Sequence, residues 1–258
     1  MATTMRAIKM LGKKKATIQE VPLPNLRNDN ILCKVNQTAA LNSTDWKHID
    51  SLGPVGTAAG RDFVGIVEEV GPKVKRNCNK ATGSQLSSMD AMPLEPEDSC
   101  FAEYAVAKGD FQMKIPDNLN DDQAATMGVG ITTVGQGLYQ TLGLPLSGRG
   151  KAGVPLLVSG CEVLTTWSPR NFPFVENLGA SKALNYKDPQ CGKTSAARQS
   201  PRGGGGGGPK INSLLPVTHS RDDVESHSTL AYTVTGETFN MGDAVVPAKP
   251  EDLEFDAM

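Results

Sequence analysis

The chain has 258 residues, enough for one or two domains with cores of their own. Its 26 Lys and Arg against 28 Asp and Glu give a net charge of −2, so no basic excess points to nucleic acid and no polybasic run to an anionic membrane. The opening MATTMRAIKMLGKKK lacks the apolar stretch of a signal peptide, and no segment approaches the roughly 20 apolar residues of a membrane span. Five cysteines, Cys33, Cys78, Cys100, Cys161 and Cys191, are odd in number and form no C-x-x-C, which argues for reduced thiols in a cytoplasmic protein.

The first 115 residues read as β-rich. Met5 to Leu11 and Ala16 to Val21 suit a hairpin across the turn at 12–15. Ile31, Cys33 and Val35 alternate with Leu32, Lys34 and Asn36, the period of a strand, and Asp62 to Val70 is a second strand closed by Gly71-Pro72. Phe101 to Ala107 and Phe111 to Ile115 read as another strand pair around residues 108–110. Short strands with frequent turns suggest a compact, partly closed barrel. Asp121 and Asp122 can cap a helix over Gln123 to Met127, and a Gly-rich helical segment follows from Gly128 to Leu142.

An α/β half then begins. Its predicted elements are strands Leu156 to Val158 and Val163 to Thr166, a helix from Asn171 to Gly179 with Phe174, Val175 and Leu178 inward, and a strand Lys182 to Tyr186. Cys191 to Lys210, with six consecutive glycines, reads as a flexible linker, and strand-like text resumes at Ile211. The chain stops at Met258 with no closing element recognisable in the text.

The stretches AALNSTDWKHID, GRDFVGIVEEVG, FAEYAVAKGD, MGVGITTVGQGLYQTLGLPL, TTWSPRNF, LGASKALNYKD and RDDVESHSTLAYT resemble the trans-acting enoyl reductases of fungal polyketide synthases, a zinc-free branch of the medium-chain dehydrogenase/reductases. Together these stretches make up about a third of the chain, spread from residue 39 to residue 233. It implies an α/β fold: a GroES-like partial barrel over 1–120, then an incomplete Rossmann-type parallel sheet over 121–258. It also implies NADPH as cofactor, and as partner an acyl thioester on a polyketide synthase carrier domain, in a monomer or dimer.

The resemblance assigns Thr44, Asp45, Trp46 and Lys47 to the cofactor; the residues alone also read as a helix start, with Ser43 or Thr44 as cap and Lys47 solvated. Ser168, Pro169, Arg170 and Asn171 fall where the adenosine ribose would lie. An acid there selects NAD and an Arg accommodates the 2′-phosphate of NADP, so Arg170 points to NADPH. Tyr186, Leu214 and Leu215 are further implied cofactor contacts. Gly128, Val129, Gly130, Ile131, Thr132, Thr133, Val134 and Gly135 are implied to meet the acyl substrate, or else to pack closely as a helix. Thr229, Leu230, Ala231, Tyr232 and Thr233 form a second substrate-side segment. No catalytic residue stands out. Zinc relatives carry Cys and Gly-His-Glu where this chain has Asn42 to Asp45 and Gly60-Arg61-Asp62, and the scattered His48, His219 and His227 read as surface or cofactor-side groups, so no metal is expected.

Four features depart from the family pattern, one being the six-glycine segment, which stands in place of a helix and strand. Between Val158 and Cys161 only Ser159-Gly160 stands where a Gly-rich turn and a long helix should hold the pyrophosphate, and no G-x-G-x-x-G occurs anywhere. Cys78 to Ala91 replaces an expected turn and strand. The C-terminal part that should close the barrel reads as missing. The expectation is a reductase with impaired cofactor binding, against two alternatives: an inactive or docking-only remnant, and a zinc-free quinone oxidoreductase.

Overall fold

The computed structural model describes residues 3–37, 41–75, 84–87, 96–145, 172–177, 210–213, 225–241 and 244–252. Strands β1 (Thr4–Gly12) and β2 (Lys15–Pro22) form the expected hairpin. Met5, Ala7 and Met10 on β1 are buried, while β2 is exposed along nearly its whole length. Gly12 (φ 144°) and Lys14 (φ 60°) supply the left-handed geometry that the tight turn demands.

A five-stranded antiparallel sheet follows, built from β3 (Asn30–Gln37), β4 (Phe63–Val70), β5 (Ser84–Ser87), β6 (Tyr104–Lys108) and β7 (Met113–Lys114), in the order β6-β3-β4-β5-β7. Two expectations are corrected here. The segments on either side of residues 108–110 are not a pair: a 3-10 turn at Gly109–Phe111 carries the chain from one sheet edge to the other, so β6 pairs with β3 and β7 with β5. The stretch read as replacing a turn and strand does hold a strand, β5, whose partners are β4 and β7.

The start of β4 is buried on both faces, which places apolar residues side by side rather than in alternation. Phe63 packs with Ile31, Cys33, Val67, Cys100, Ala105 and Ala107 on one side. Val64 packs on the other against Ala124 and Ala125, around helix α2 (Asp121–Ala124). The cap of α2 is Asn120, one residue before the expected Asp121. Its side chain accepts from the Gln123 N–H at 2.9 Å while the Gln123 side chain accepts from the Asn120 N–H at 3.2 Å. Helix α3 (Gly128–Gly135) follows and runs on into a π-helical turn, Gln136–Thr141.

The chain divides into two compact units, Met1–Gln140 with Leu230–Met258, and Thr141–Thr229. Residues 230–252 return to the first unit. A 3-10 turn, Ala231–Thr235, packs Ala231 and Val234 against Val129. Lys108 Nζ reaches Asp29 at 2.7 Å and Glu237 at 2.6 Å. Asp252 accepts from both Thr233 and Gln140. The hairpin β10 (Phe239–Met241) and β11 (Ala244–Val246) lies in this returning segment. The sequence hid this because 230–252 holds only short strands and polar turns. The second unit contains helix α4 (Phe172–Asn177) and the parallel pair β8 (Lys210–Ser213) and β9 (Glu225–Ser228). The expected strands Leu156 to Val158, Val163 to Thr166 and Lys182 to Tyr186 lie outside the described residues. No helix among the described residues is long and apolar enough to cross a membrane.

Candidate active site

Helix α1 (Ser43–Lys47) begins the site. Its cap is Asn42, not Ser43 or Thr44. The Asn42 side chain accepts from the Thr44 N–H at 3.3 Å, and Asp45 Oδ2 accepts from the Asn42 N–H at 2.8 Å. That reciprocal bond turns Asp45 inward, where it is 1% exposed. Trp46 and Lys47 face outward, with Trp46 46% exposed and the Lys47 ammonium 5.9 Å from its ring centroid.

Gly60 leads into β4. Its φ of +104° and the Phe101 ring, 2.4 Å from where a Cβ would stand, admit only glycine. The turn buries the next two residues, Arg61 at 4% and Asp62 at 1% exposure. Asp62 Oδ1 accepts from the Val129 N–H at 2.7 Å, tying the loop to the start of α3, and Asp62 Oδ2 accepts from Asn42 Nδ2 at 3.4 Å. Cys100 Sγ donates to the Asp62 carbonyl at 3.3 Å. Arg61 donates through one terminal nitrogen to the Gly60 carbonyl at 3.2 Å. Its Nε and the Asp45 Oδ1 are both buried without a hydrogen-bond partner.

His48, read as a surface or cofactor-side group, is not at the surface: it is buried at 3% exposure. Its Nδ1 lies 2.7 Å from the Thr44 carbonyl, which can only accept, so Nδ1 carries the proton. Thr44 Oγ1 is 3.3 Å from the same nitrogen and hydrogen-bonds the Tyr232 hydroxyl. The Tyr232 ring meets His48 edge-on at 6.3 Å and Phe239 at 5.7 Å.

This interior is electrostatically unusual. Burial pushes Asp45 and Asp62 up to about 6, opposed by their backbone donors and by the Arg61 charge. Burial, with Arg61 adding repulsion, lowers His48 to about 4, so it is neutral at physiological pH. Burial also raises Tyr232, while Arg61 and Thr44 favour its phenolate. Cys100 is driven up by burial and the two carboxylates and stays a thiol. Among the described residues no three metal-ligating side chains gather. The Arg61 charge acts on both buried carboxylates, Asp45 and Asp62.

The geometry thus brings together residues 44–47, the start of α3 and residues 230–233, which are far apart in sequence. Thr229 belongs to the second unit, where its hydroxyl donates to Asn212 at 2.9 Å. On α3, Gly128 and Val129 are buried, Thr132 and Thr133 are half-buried, and Gly130, Ile131 and Val134 are exposed. A Cβ on Gly130 or Gly135 would meet nothing within 4 Å, so close helix packing does not explain either glycine. Ser168, Pro169, Arg170, Asn171, Tyr186, Leu214 and Leu215 lie outside the described residues. Sequence reading missed Asn42, Arg61 and Asp62 as members of the site and left His48 open between surface and cofactor side. The charged Arg61-Asp62 pair directly before an apolar strand was the available signal, since two such residues there need burial or a turn.

No family model matches the chain. It is 36% identical to the trans-enoyl reductase resD of Aspergillus sclerotiorum, over 93% of this chain and 82% of that protein. It is 35% identical to the trans-enoyl reductase TOXD of Cochliobolus carbonum, over 93% of this chain and 96% of that protein. The resD alignment runs over 293 positions, more than the 258 residues present, so that relative carries internal residues this chain lacks. The quinone oxidoreductase of Coxiella burnetii has the same fold, with a TM-score of 0.60 and 20% identity over 98% of this chain and 86% of that one. The chain belongs to the trans-enoyl reductase family, built on the medium-chain dehydrogenase/reductase fold.

Proposed function

We propose that the chain is an NADPH-dependent enoyl reductase that acts in trans on α,β-unsaturated acyl thioesters held by a polyketide synthase, with a weakened hold on its cofactor. The observation that carries this reading is the meeting of residues 44–47, α3 and residues 230–233 in one unit through Asp62–Val129 and Thr44–Tyr232. Proposed substrate contacts are the open face of α3 at Gly130, Ile131 and Val134, together with Leu230 and Tyr232. The fold we assign is a GroES-like partial barrel with a shortened Rossmann-type sheet.

The outer face of α1 fits a dinucleotide. Lys47 offers a cation and Trp46 an exposed ring, while the buried Asp45 acts as a cap rather than a contact. Ser168 and Arg170 are assigned to the 2′-phosphate. NADPH, when bound, supplies the hydride that reduces the β carbon. The chain's own residues orient the acyl group, exclude water and furnish the hydrogen-bond donors that a developing enolate oxygen needs. Without a Gly-rich pyrophosphate turn, binding should be at least about tenfold weaker than in a relative that has one, since a hydrogen bond to a charged group contributes roughly 1.5–3 kcal/mol.

The test is NADPH titration of the 258-residue chain, followed by incubation with a pantetheine enoyl thioester at saturating NADPH. Slow, saturable reduction is expected. Absence of any reduction at millimolar NADPH would sink the reading. The likeness to a quinone oxidoreductase favours a second reading, and quinones reduced faster than thioesters would support it.

A further inference from the structure

Reduction of an enoyl thioester leaves a carbanion equivalent at the α carbon, and a proton must reach it. This inference rests on the enoyl reductase reading above. Several groups at the site hold protons, and the geometry removes most of them as donors. The His48 Nδ1 proton is committed to the Thr44 carbonyl, and the ring is neutral. Cys100 is 2% exposed and donates to the Asp62 carbonyl. Thr233 is 3% exposed and donates to Asp252. Asp62 accepts from Val129 and Asn42, and Asp45 accepts from the Asn42 N–H, both nearly without exposure. Thr132 donates to the Gly128 carbonyl at 3.1 Å, and an aliphatic hydroxyl is in any case a far weaker acid than a phenol.

Tyr232 differs from all of these. It is half-buried rather than enclosed, and it stands on the turn that packs against the start of α3. Its hydroxyl has a second hydroxyl, that of Thr44, as hydrogen-bond partner, so it can give up a proton and keep a donor. Burial holds the proton on the phenol, and the buried Arg61 guanidinium, whose Nε–H has no partner, opposes that by favouring the phenolate. We propose that the Tyr232 hydroxyl delivers the proton to the α carbon, with Thr44 and Arg61 holding the phenolate that remains.

The step balances. A bound nicotinamide dinucleotide would supply the hydride, and with it two electrons, at the β carbon, and the alkene pair would become the enolate. The Tyr232 O–H bond then breaks as the α C–H bond forms. Solvent returns one proton to the phenolate. Arg61 is a positioning residue here. It is buried at 4% exposure and held by its bond to the Gly60 carbonyl, close enough to Asp45, Asp62 and Tyr232 to act on all three.

The test uses the full chain and its Tyr232→Phe variant, with thermal melts to confirm that both fold. With NADPH at saturation and an α-methyl enoyl thioester, the variant should reduce about 100-fold more slowly, the usual scale for one acid–base group, at nearly unchanged KM. Its product should be a mixture of α configurations, where the wild-type product is one. A second measurement needs no cofactor. In deuterated buffer the wild type should exchange the α hydrogen of the saturated thioester by the reverse step, and Tyr232→Phe should not. Equal rates, equal stereochemistry and equal exchange in the two proteins would overturn the proposal while leaving the reductase reading intact. A wild type that neither reduces nor exchanges would overturn that reading and this one with it.

Discussion

Residues 60–62 and residues 63–64 are adjacent, equally buried and held by opposite means. Phe63 and Val64 sit in two apolar clusters on opposite faces of β4 and need nothing but shape. Arg61 and Asp62 sit at 4% and 1% exposure and need each other, Asp45, Asn42 and the Val129 N–H. Burying apolar surface stabilises the fold outright, whereas burying charge stabilises only while every partner remains. The first stretch therefore holds the unit together, and the second makes it specific and pH-sensitive.

The sharpest contrast comes from deleting each kind of group. Phe63→Ala should cost about 3–5 kcal/mol in chemical denaturation, through lost transfer energy and the cavity left behind. Arg61→Met should cost about 3 kcal/mol, because it strands two carboxylates in a dry interior. Adding Asp45→Asn to Arg61→Met should recover a good part of that loss. No recovery in the double variant would mean that Arg61 acts by packing alone, and the contrast between the two stretches would collapse.

The pH response separates them next. Asp45 and Asp62 have folded values near 6, above their unfolded range, so their contribution is full below about pH 4 and fades as pH rises through 6. His48, held near 4, contributes the other way, and its share is present above its unfolded 6.5 and fades as pH falls toward 4. Between pH 4 and 6 the folded state therefore holds two carboxyl protons where the unfolded state holds one imidazole proton. Relative to an Asp45→Asn/Asp62→Asn variant, the wild type should gain stability as pH falls from 7 to 4.5. Parallel melts at the two pH values measure the difference, and identical slopes would refute the assignment. Phe63→Val should leave that slope untouched. The smallest effect is at the surface: Asn120→Ala, which removes the α2 cap, should cost about 1 kcal/mol at any pH.

Much of the apolar half was legible in the text. β1, β2, β3 and β4 follow from alternation and turn residues, and the boundaries came within a residue or two. The polar half was legible only as motifs. Asp45 and Lys47 are two residues apart and look alike on paper, but the capping bond to Asn42 sends one inward and leaves the other out. Arg61 and Asp62 lacked the ligands of a zinc site, and nothing local says that a guanidinium fills the same place. β5 was passed over because Ser84-Gln85-Leu86-Ser87 has little strand propensity, and pairing on both edges compensates for that. Of the return of residues 230–252 only the segment around Tyr232 was read, and only through the resemblance, since its partner Thr44 lies 188 positions away.

That return has a kinetic consequence. The unit is assembled from both ends of the chain, so ribosomal synthesis cannot complete it early. Strands β1 to β7 must wait, with the Thr44 hydroxyl and the Val129 side chain uncovered, until residues near 252 have emerged. Closing a loop of 188 residues costs roughly 4–5 kcal/mol of chain entropy before Tyr232 meets Thr44. Such long-range closure slows folding and prolongs the exposure of sheet edges. Expression of this protein should accordingly depend on translation speed and chaperone supply more than its buried area alone implies.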